Sequence, residues 1–103
     1  MPKFRVSVPH DHPRDQVVNR LQDFSQSIRR ESPVELTEIV ERWDDQGNLE
    51  FSFKAMNLSV SGNLMVEIDQ IVVHGKLPLA AVMFRGMIEN QIEEKIRQAL
   101  STA

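Results

Sequence analysis

Two periods of apolar residues divide the chain into strands and helices. Residues 3–8 alternate between polar and apolar, which predicts a half-buried strand. From Val17 onward the apolar residues recur at helical spacing, which predicts an amphipathic helix. This helix should end near Glu31, because Pro33 disfavours helical backbone at the residue before it.

Alternation in the middle of the chain predicts four more strands. They cover residues 34–43, 49–55, 58–68 and 71–75. In the first of them the apolar parity changes between Leu36 and Ile39, so we expect a β-bulge near Thr37 or Glu38. The alternation predicts that the sheet formed by these strands has one solvent-exposed (wet) face and one apolar face.

Short turns should join these strands as a meander. The predicted turns are residues 44–48, Met56–Asn57 and Asp69–Gln70. The second turn places Phe51 over Gly62, where an aromatic ring can cover the space that a glycine leaves. The third turn pairs Val66 with Val73. Gly62 and Gly75 are the positions where we expect the sheet to bend.

The chain ends in a stretch that predicts one long helix over residues 77–100. Its apolar residues Phe84, Ile88, Ile92, Ile96 and Leu100 recur every four positions. The first half, Leu77–Ile88, is here called the apolar segment, because it has almost no polar face. A helix that is apolar all round must be buried on every side or must contact something besides its own sheet.

These elements predict a single α+β domain over residues 1–103. The order β-α-β-β-β-β-α, with a right-handed first crossover, gives a curved antiparallel five-stranded sheet of strand order 2-3-4-5-1. The sheet should pack around the long C-terminal helix. A chain of 103 residues that is 41% hydrophobic has enough material for one core.

Composition narrows the function classes. A net charge of -3 and basic residues scattered along the chain argue against nucleic acid as a partner. The absence of cysteine excludes disulfides, thiol nucleophiles and cysteine metal sites. The sequence shows neither the apolar run of a signal peptide nor a transmembrane stretch, so we expect a cytoplasmic protein.

Candidate catalytic and metal-binding residues are few. His10 and His12 could supply half of a metal site, but only His74 remains to add a third imidazole, so we expect no metal and no cofactor. Ser59 and Ser61 lie on the wet face of a strand, outside the strand-turn-helix context that activates a serine nucleophile. We therefore expect no catalytic residues and no enzyme activity.

A family resemblance rests on five short matches. They are Val8–His10 before a helix, Trp43 before a turn, Leu49–Phe53, Val60–Gly62, and Gly75–Pro78 before the last helix. With these features the chain resembles the polyhydroxyalkanoic acid system (granule region) family. The resemblance implies association with polyester granules or their metabolism, without a defined reaction. The predicted architecture is also similar in shape to a reduced helix-grip fold, as in START-like domains.

The first functional hypothesis is a non-enzymatic accessory protein of polyhydroxyalkanoate storage, granule-associated through an apolar surface. Its contact residues would be Leu79, Val82, Met83 and Met87. The partner would be a hydrophobic granule surface or another protein.

Two alternatives belong to other classes. One is a carrier of a fatty or acyl ligand held between sheet and helix. Its pocket would be lined by Phe51, Phe53, Leu64 and Phe84. The other is a homodimer or dimeric interaction module that uses the apolar segment as its seam. The sequence does not identify a ligand, a physiological partner or an oligomeric state.

Overall fold

A computed structural model of the protein describes residues 2–31, 36–55 and 57–101, with side chains not described at 24–31, 36 and 55. Its elements follow the predicted order. They are β1 (Lys3–Pro9), α1 (Arg14–Glu31), β2 (Leu36–Trp43), β3 (Leu49–Ala55), β4 (Leu58–Val66), β5 (Gln70–Lys76), a 3-10 helix (Leu79–Phe84) and α2 (Arg85–Ser101).

The five strands form one antiparallel sheet of order β1-β5-β4-β3-β2, which confirms the predicted strand order and the α+β class. In β1 the alternation holds as predicted, with Phe4, Val6 and Val8 buried. The core lies between this inner face and the two α-helices, which contribute buried residues such as Val17 and Ile96. The opposite, outer face of the sheet carries most of the polar side chains of the strands.

α1 ends at Glu31, as predicted, while Pro33 and Val34 lie outside the described residues. The predicted β-bulge in β2 is confirmed. The register of β2 against β3 shifts between Thr37 and Val40, and Glu38 has a positive φ of 52°. The extra residue of the bulge accounts for the change of parity that the sequence shows in this strand.

The predicted register of β3 against β4 is also confirmed, since Phe51 pairs with Gly62. Gly62 in turn pairs with Gly75 of β5, and Gly75 pairs with Phe4 of β1. A Cβ on Gly75 would lie 2.2 Å from the carbonyl oxygen of Ser61 and 2.7 Å from Cε1 of Phe4. The two strands therefore approach each other too closely at this point for any side chain larger than hydrogen.

The predicted register of β4 against β5 is wrong by two residues. Val66 pairs with Ile71, whereas the sequence analysis paired it with Val73. The turn lies at Ile68 and Asp69, one position earlier than predicted, and the Ile68 side chain is 85% exposed there. A shift of two residues leaves every side chain on the same face, so the alternation alone does not distinguish the two registers.

The prediction of one continuous C-terminal helix from residue 77 is wrong in its first part. The N–H of Leu77 donates to the carbonyl of Pro2 at 2.9 Å, so the chain is still extended there, and Pro78 precedes the first helical turn. Residues 79–84 then form a 3-10 helix, and α-helix begins only at Arg85. Because nearly every residue here is apolar, the pattern carried no information on helical pitch.

α2 contributes the predicted stripe over most of its length. Ile96 and Ala99 are buried, and Ile88, Ile92 and Leu100 pack partly buried against the core. Phe84, predicted to begin the stripe, is instead 50% exposed. It belongs to the 3-10 helix, in which each residue turns the chain by about 120° rather than 100°, so its side chain leaves the stripe.

Candidate functional site

The apolar segment presents large side chains to solvent. Leu79 is 81% exposed, Met83 90%, Met87 57% and Phe84 50%. Only Val40 and Ile68 are comparable among the described residues. Four large apolar side chains exposed within nine residues of chain are an unusual surface feature, and exposed apolar patches mark contact sites.

Other residues of the same segment anchor it to the core. Leu77 and Ala81 are buried at 0% and 1% exposure, and Val82 is partly buried. Of the four predicted contact residues, the structure therefore exposes Leu79, Met83 and Met87 and leaves Val82 mostly behind them. Leu77 and Ala81 therefore fix the segment to the core, while Leu79, Met83 and Met87 remain exposed.

The four residues predicted to line an acyl pocket lie in different surroundings. Leu64 is buried in the core, and Phe51 and Phe53 stack at a ring distance of 6.2 Å and pack against it. Phe84 is half-exposed. One groove on the sheet contacts Phe51 and a smaller one contacts Leu64, and neither of these two is lined by Phe53 or Phe84.

The larger groove runs across the outer face of the sheet and has a volume of about 1110 Å³. Two rows of cross-strand side chains form its walls. One row is Lys3, Lys76, Ser61, Ser52 and Val40, and the other is Arg5, His74, Asn63, Glu50 and Arg42. Gly62 and Gly75 lie between the rows, and Arg85 and Glu89 of α2 complete the lining beside β1.

This groove, here called the basic groove, has a net charge opposite in sign to that of the whole chain. Its lining includes five cationic side chains and two carboxylates, a net charge of +3 in a chain of net charge -3. The sequence does not reveal this groove directly, because the five cations are scattered between residues 3 and 85. The alternation along each strand does place the lysines and arginines of the strands on the solvent-exposed face. Which of them lie close together depends on the pairing between strands.

Arg85 and Glu89 also close the edge of the sheet at β1. A carboxylate oxygen of Glu89 accepts the backbone N–H of Arg5 at 3.0 Å, and the Arg85 guanidinium donates to the carbonyl of Lys3 at 3.2 Å. These side chains occupy backbone groups that a further strand would use.

Both ring nitrogens of His10 form hydrogen bonds to the backbone. Its Nδ1 accepts the backbone N–H of His12 at 3.2 Å, so its Nε2 carries the proton that it donates to the carbonyl of Glu67 at 2.9 Å. The ring thereby ties the entry of α1 to the β4–β5 turn. Among the described residues, no three histidine or carboxylate side chains lie close enough together to hold a metal ion.

The fold has a counterpart among solved structures. The protein TTHA0849 from Thermus thermophilus is 15% identical and superimposes with a TM-score of 0.58, over 96% of this chain and 92% of that one. At this identity the likeness concerns the fold alone. No curated protein is significantly similar to the chain in sequence.

Within the described ranges, no helix combines the length and the hydropathy that a membrane crossing requires. The sequence also matches a family model over residues 4–100, which is nearly its whole length. The chain therefore belongs to the family described as "Putative polyhydroxyalkanoic acid system protein".

Proposed function

We propose that this protein is a non-enzymatic accessory protein of polyhydroxyalkanoate storage that binds the granule surface through its apolar segment. The observation that carries the proposal is the exposure of Leu79, Met83 and Met87 within nine residues of chain. Membership of the polyhydroxyalkanoic acid system family supports the choice of a polyester surface as the partner.

The exposed side chains suit an irregular apolar surface. Burying a Leu or Met side chain from water contributes roughly 1.5–3 kcal/mol, and Leu79 and Met83 are 81% and 90% exposed, so nearly all of that gain is still available. Methionine is unbranched and adapts its shape to the surface that it meets. Part of the gain offsets the loss of freedom on association, so the proposed binding is reversible.

The proposal assigns no reaction to the chain. A serine nucleophile needs a base within hydrogen-bond reach. Ser61 and His74 share the outer face of the sheet, and the proposal gives neither of them a catalytic role. The exposed apolar side chains account for a binding role without such a pair.

The replacement Met83→Glu tests the proposal. It places a carboxylate where the proposed contact is apolar, and we expect the fraction of protein that co-sediments with isolated polyhydroxyalkanoate granules to fall about tenfold. Ile68→Glu is the matched control, because Ile68 is 85% exposed in the β4–β5 turn, outside the apolar segment. Its co-sedimentation should equal that of the wild type.

Circular dichroism and thermal unfolding establish that both variants are folded. A folded Met83→Glu variant that co-sediments like the wild type would contradict the proposal. Light scattering on the same samples distinguishes granule binding from the dimer alternative. If a second copy of the chain covers this surface, the wild type should be dimeric and the Met83→Glu variant monomeric, and both should bind granules equally.

A further inference from the structure

The basic groove concentrates its positive charge at the end formed by β1 and β5. Lys3 and Lys76 are direct cross-strand partners, both exposed on the outer face. Like charges in this arrangement destabilise a sheet. In the described residues neither lysine forms an ion pair, and the nearby Glu89 carboxylate accepts the Arg5 backbone N–H. An external anion would relieve the repulsion that the sheet leaves uncompensated.

The middle of the groove is polar and carries one carboxylate, that of Glu50, whose cross-strand partner is Arg42. Ser52, Ser61 and Asn63 offer hydroxyl and amide groups between the cationic end and Arg42 on the far strand. The four spacings between the five strands, at roughly 4.8 Å each, span about 19 Å, which is the length of about six residues of extended chain. The groove thus combines an anion-attracting end with hydrogen-bonding groups distributed over the length of a short extended peptide.

The openness of the groove argues against a small ligand, because small-molecule sites bury most of their ligand. A long polyanion is also disfavoured. The chain outside the groove has a net charge of about -6, since the whole is -3 and the groove is +3, and it would repel a nucleic acid that extends past the groove. A short anionic segment avoids that repulsion.

We propose that the basic groove binds a short, extended acidic segment of a partner protein, with Lys3, Lys76 and Arg85 contacting its carboxylates. The inference goes beyond granule binding and does not depend on it. Met87 lies two residues after Arg85, about 200° around α2, so it faces away from the groove. The lining of the groove also includes none of Leu79, Met83 and Met87, so the acidic segment and the apolar surface have separate sites.

Fluorescence polarisation with a labelled eight-residue peptide of alternating Asp and Ser tests the proposal at low ionic strength. We expect the double variant Lys3→Glu/Lys76→Glu to lower the affinity at least about tenfold, because both contacts become repulsive. Lys3→Arg/Lys76→Arg should retain the affinity. The control Lys95→Glu/Arg97→Glu makes the same change of net charge on α2, outside the groove, and should weaken binding less than about twofold.

Equal loss in the groove and control variants would overturn the proposal, because net charge alone would then explain binding. Stronger binding of a single-stranded oligonucleotide, or of inorganic phosphate, than of the acidic peptide would overturn it as well. The Met83→Glu variant should bind the peptide like the wild type. That result separates the two proposals, since failure of granule binding leaves the groove measurement intact.

Discussion

At the residue scale, Asp44 organises the turn between β2 and β3. Its carboxylate accepts the backbone N–H groups of Gln46 at 2.8 Å and Asn48 at 2.9 Å. The hydrogen bond from Asn48, and further contributions from Gln46 and the Arg14 charge, hold the pKa of Asp44 below its ordinary value despite an opposing effect of desolvation. The Arg14 guanidinium also donates to the carbonyl of Gln46, which ties α1 to the turn.

This arrangement predicts a pH dependence of stability. Because the folded pKa of Asp44 is lowered, its contribution is present above the ordinary carboxyl pKa of about 3.9 and is lost as the pH falls through the folded value. Asp44→Asn keeps an acceptor oxygen but removes the charge. Urea unfolding should show the variant less stable than the wild type at neutral pH, with the difference shrinking below about pH 4.

Asp45→Asn is the control for this prediction. Asp45 is exposed in the same turn and makes no side-chain hydrogen bond within the described residues. Its stability difference from the wild type should be small at neutral pH. A difference between Asp44→Asn and the wild type that persists unchanged into acid would show that the charge of Asp44 does not stabilise the turn.

Two residue-level predictions that rest on local patterns are confirmed. The pairing of Phe51 with Gly62 followed from a short turn and a simple alternation, and the bulge near Glu38 followed from one change of parity. The hydrogen bond from the His10 ring to the carbonyl of Glu67 joins residues 57 apart, and nothing in the local pattern indicates it. Such contacts depend on the complete fold.

At the element scale, the two edges of the sheet are protected in different ways. β2 carries the bulge at Glu38, which disrupts the regular row of backbone groups that another strand would need. β1 is regular, and α2 closes it with Arg85 and Glu89. The beginning of α2 at Arg85 places these two side chains one helical turn apart along the edge.

Glu89→Ala should therefore weaken the fold and expose an edge. We expect a loss of about 1 kcal/mol in the free energy of unfolding, because the Arg5 backbone N–H loses a charged acceptor. The freed edge should also increase self-association, measured by light scattering as the protein concentration rises.

The control for this change is Glu94→Ala, which removes an exposed carboxylate from α2 without touching β1 in the described contacts. Equal self-association of the two alanine variants would contradict edge protection by Glu89. A rise confined to Glu89→Ala would support it.

The C-terminal elements show where sequence patterns lose their information. Over residues 88–100, polar residues interrupt the apolar ones, and the predicted helix is present. Over residues 77–84 almost every side chain is apolar, so extended chain, 3-10 helix and α-helix fit the pattern equally well. The hydrogen bond from Leu77 to Pro2, which keeps the chain extended there, is again a long-range contact.

At the scale of the whole molecule, the sheet order was predictable from connectivity, whereas the basic groove was not. Short turns force neighbouring strands to pair, and a crossover leaves β1 only the edge beside β5. The groove needs the correct register across all four strand pairs at once, and the predicted register of β4 against β5 was two residues off. That error would have separated Lys76 from Ser61, its neighbour in the groove.

The separation of the two surfaces predicts independent binding. Protein bound to granules through the apolar segment should still capture the labelled acidic peptide, with the affinity measured in solution, because Met87 and Arg85 face opposite sides of α2. The measurement is the peptide fluorescence that sediments with granules carrying wild-type protein. Granules carrying Lys3→Glu/Lys76→Glu should sediment without it, and displacement of the protein by the peptide would show that the two surfaces overlap.

Gly62 and Gly75, which pair across β4 and β5, lie between the core and the basic groove. A Cβ on Gly62 would lie 3.0 Å from Cζ of Phe51, and one on Gly75 would lie 2.7 Å from Cε1 of Phe4, so two core rings press against the backbone that lines the groove. Because glycine has no side chain, only backbone lies between the rings and the groove at Gly62 and Gly75. We therefore expect a replacement of Phe4 or Phe51 inside the protein to change the shape of the groove outside.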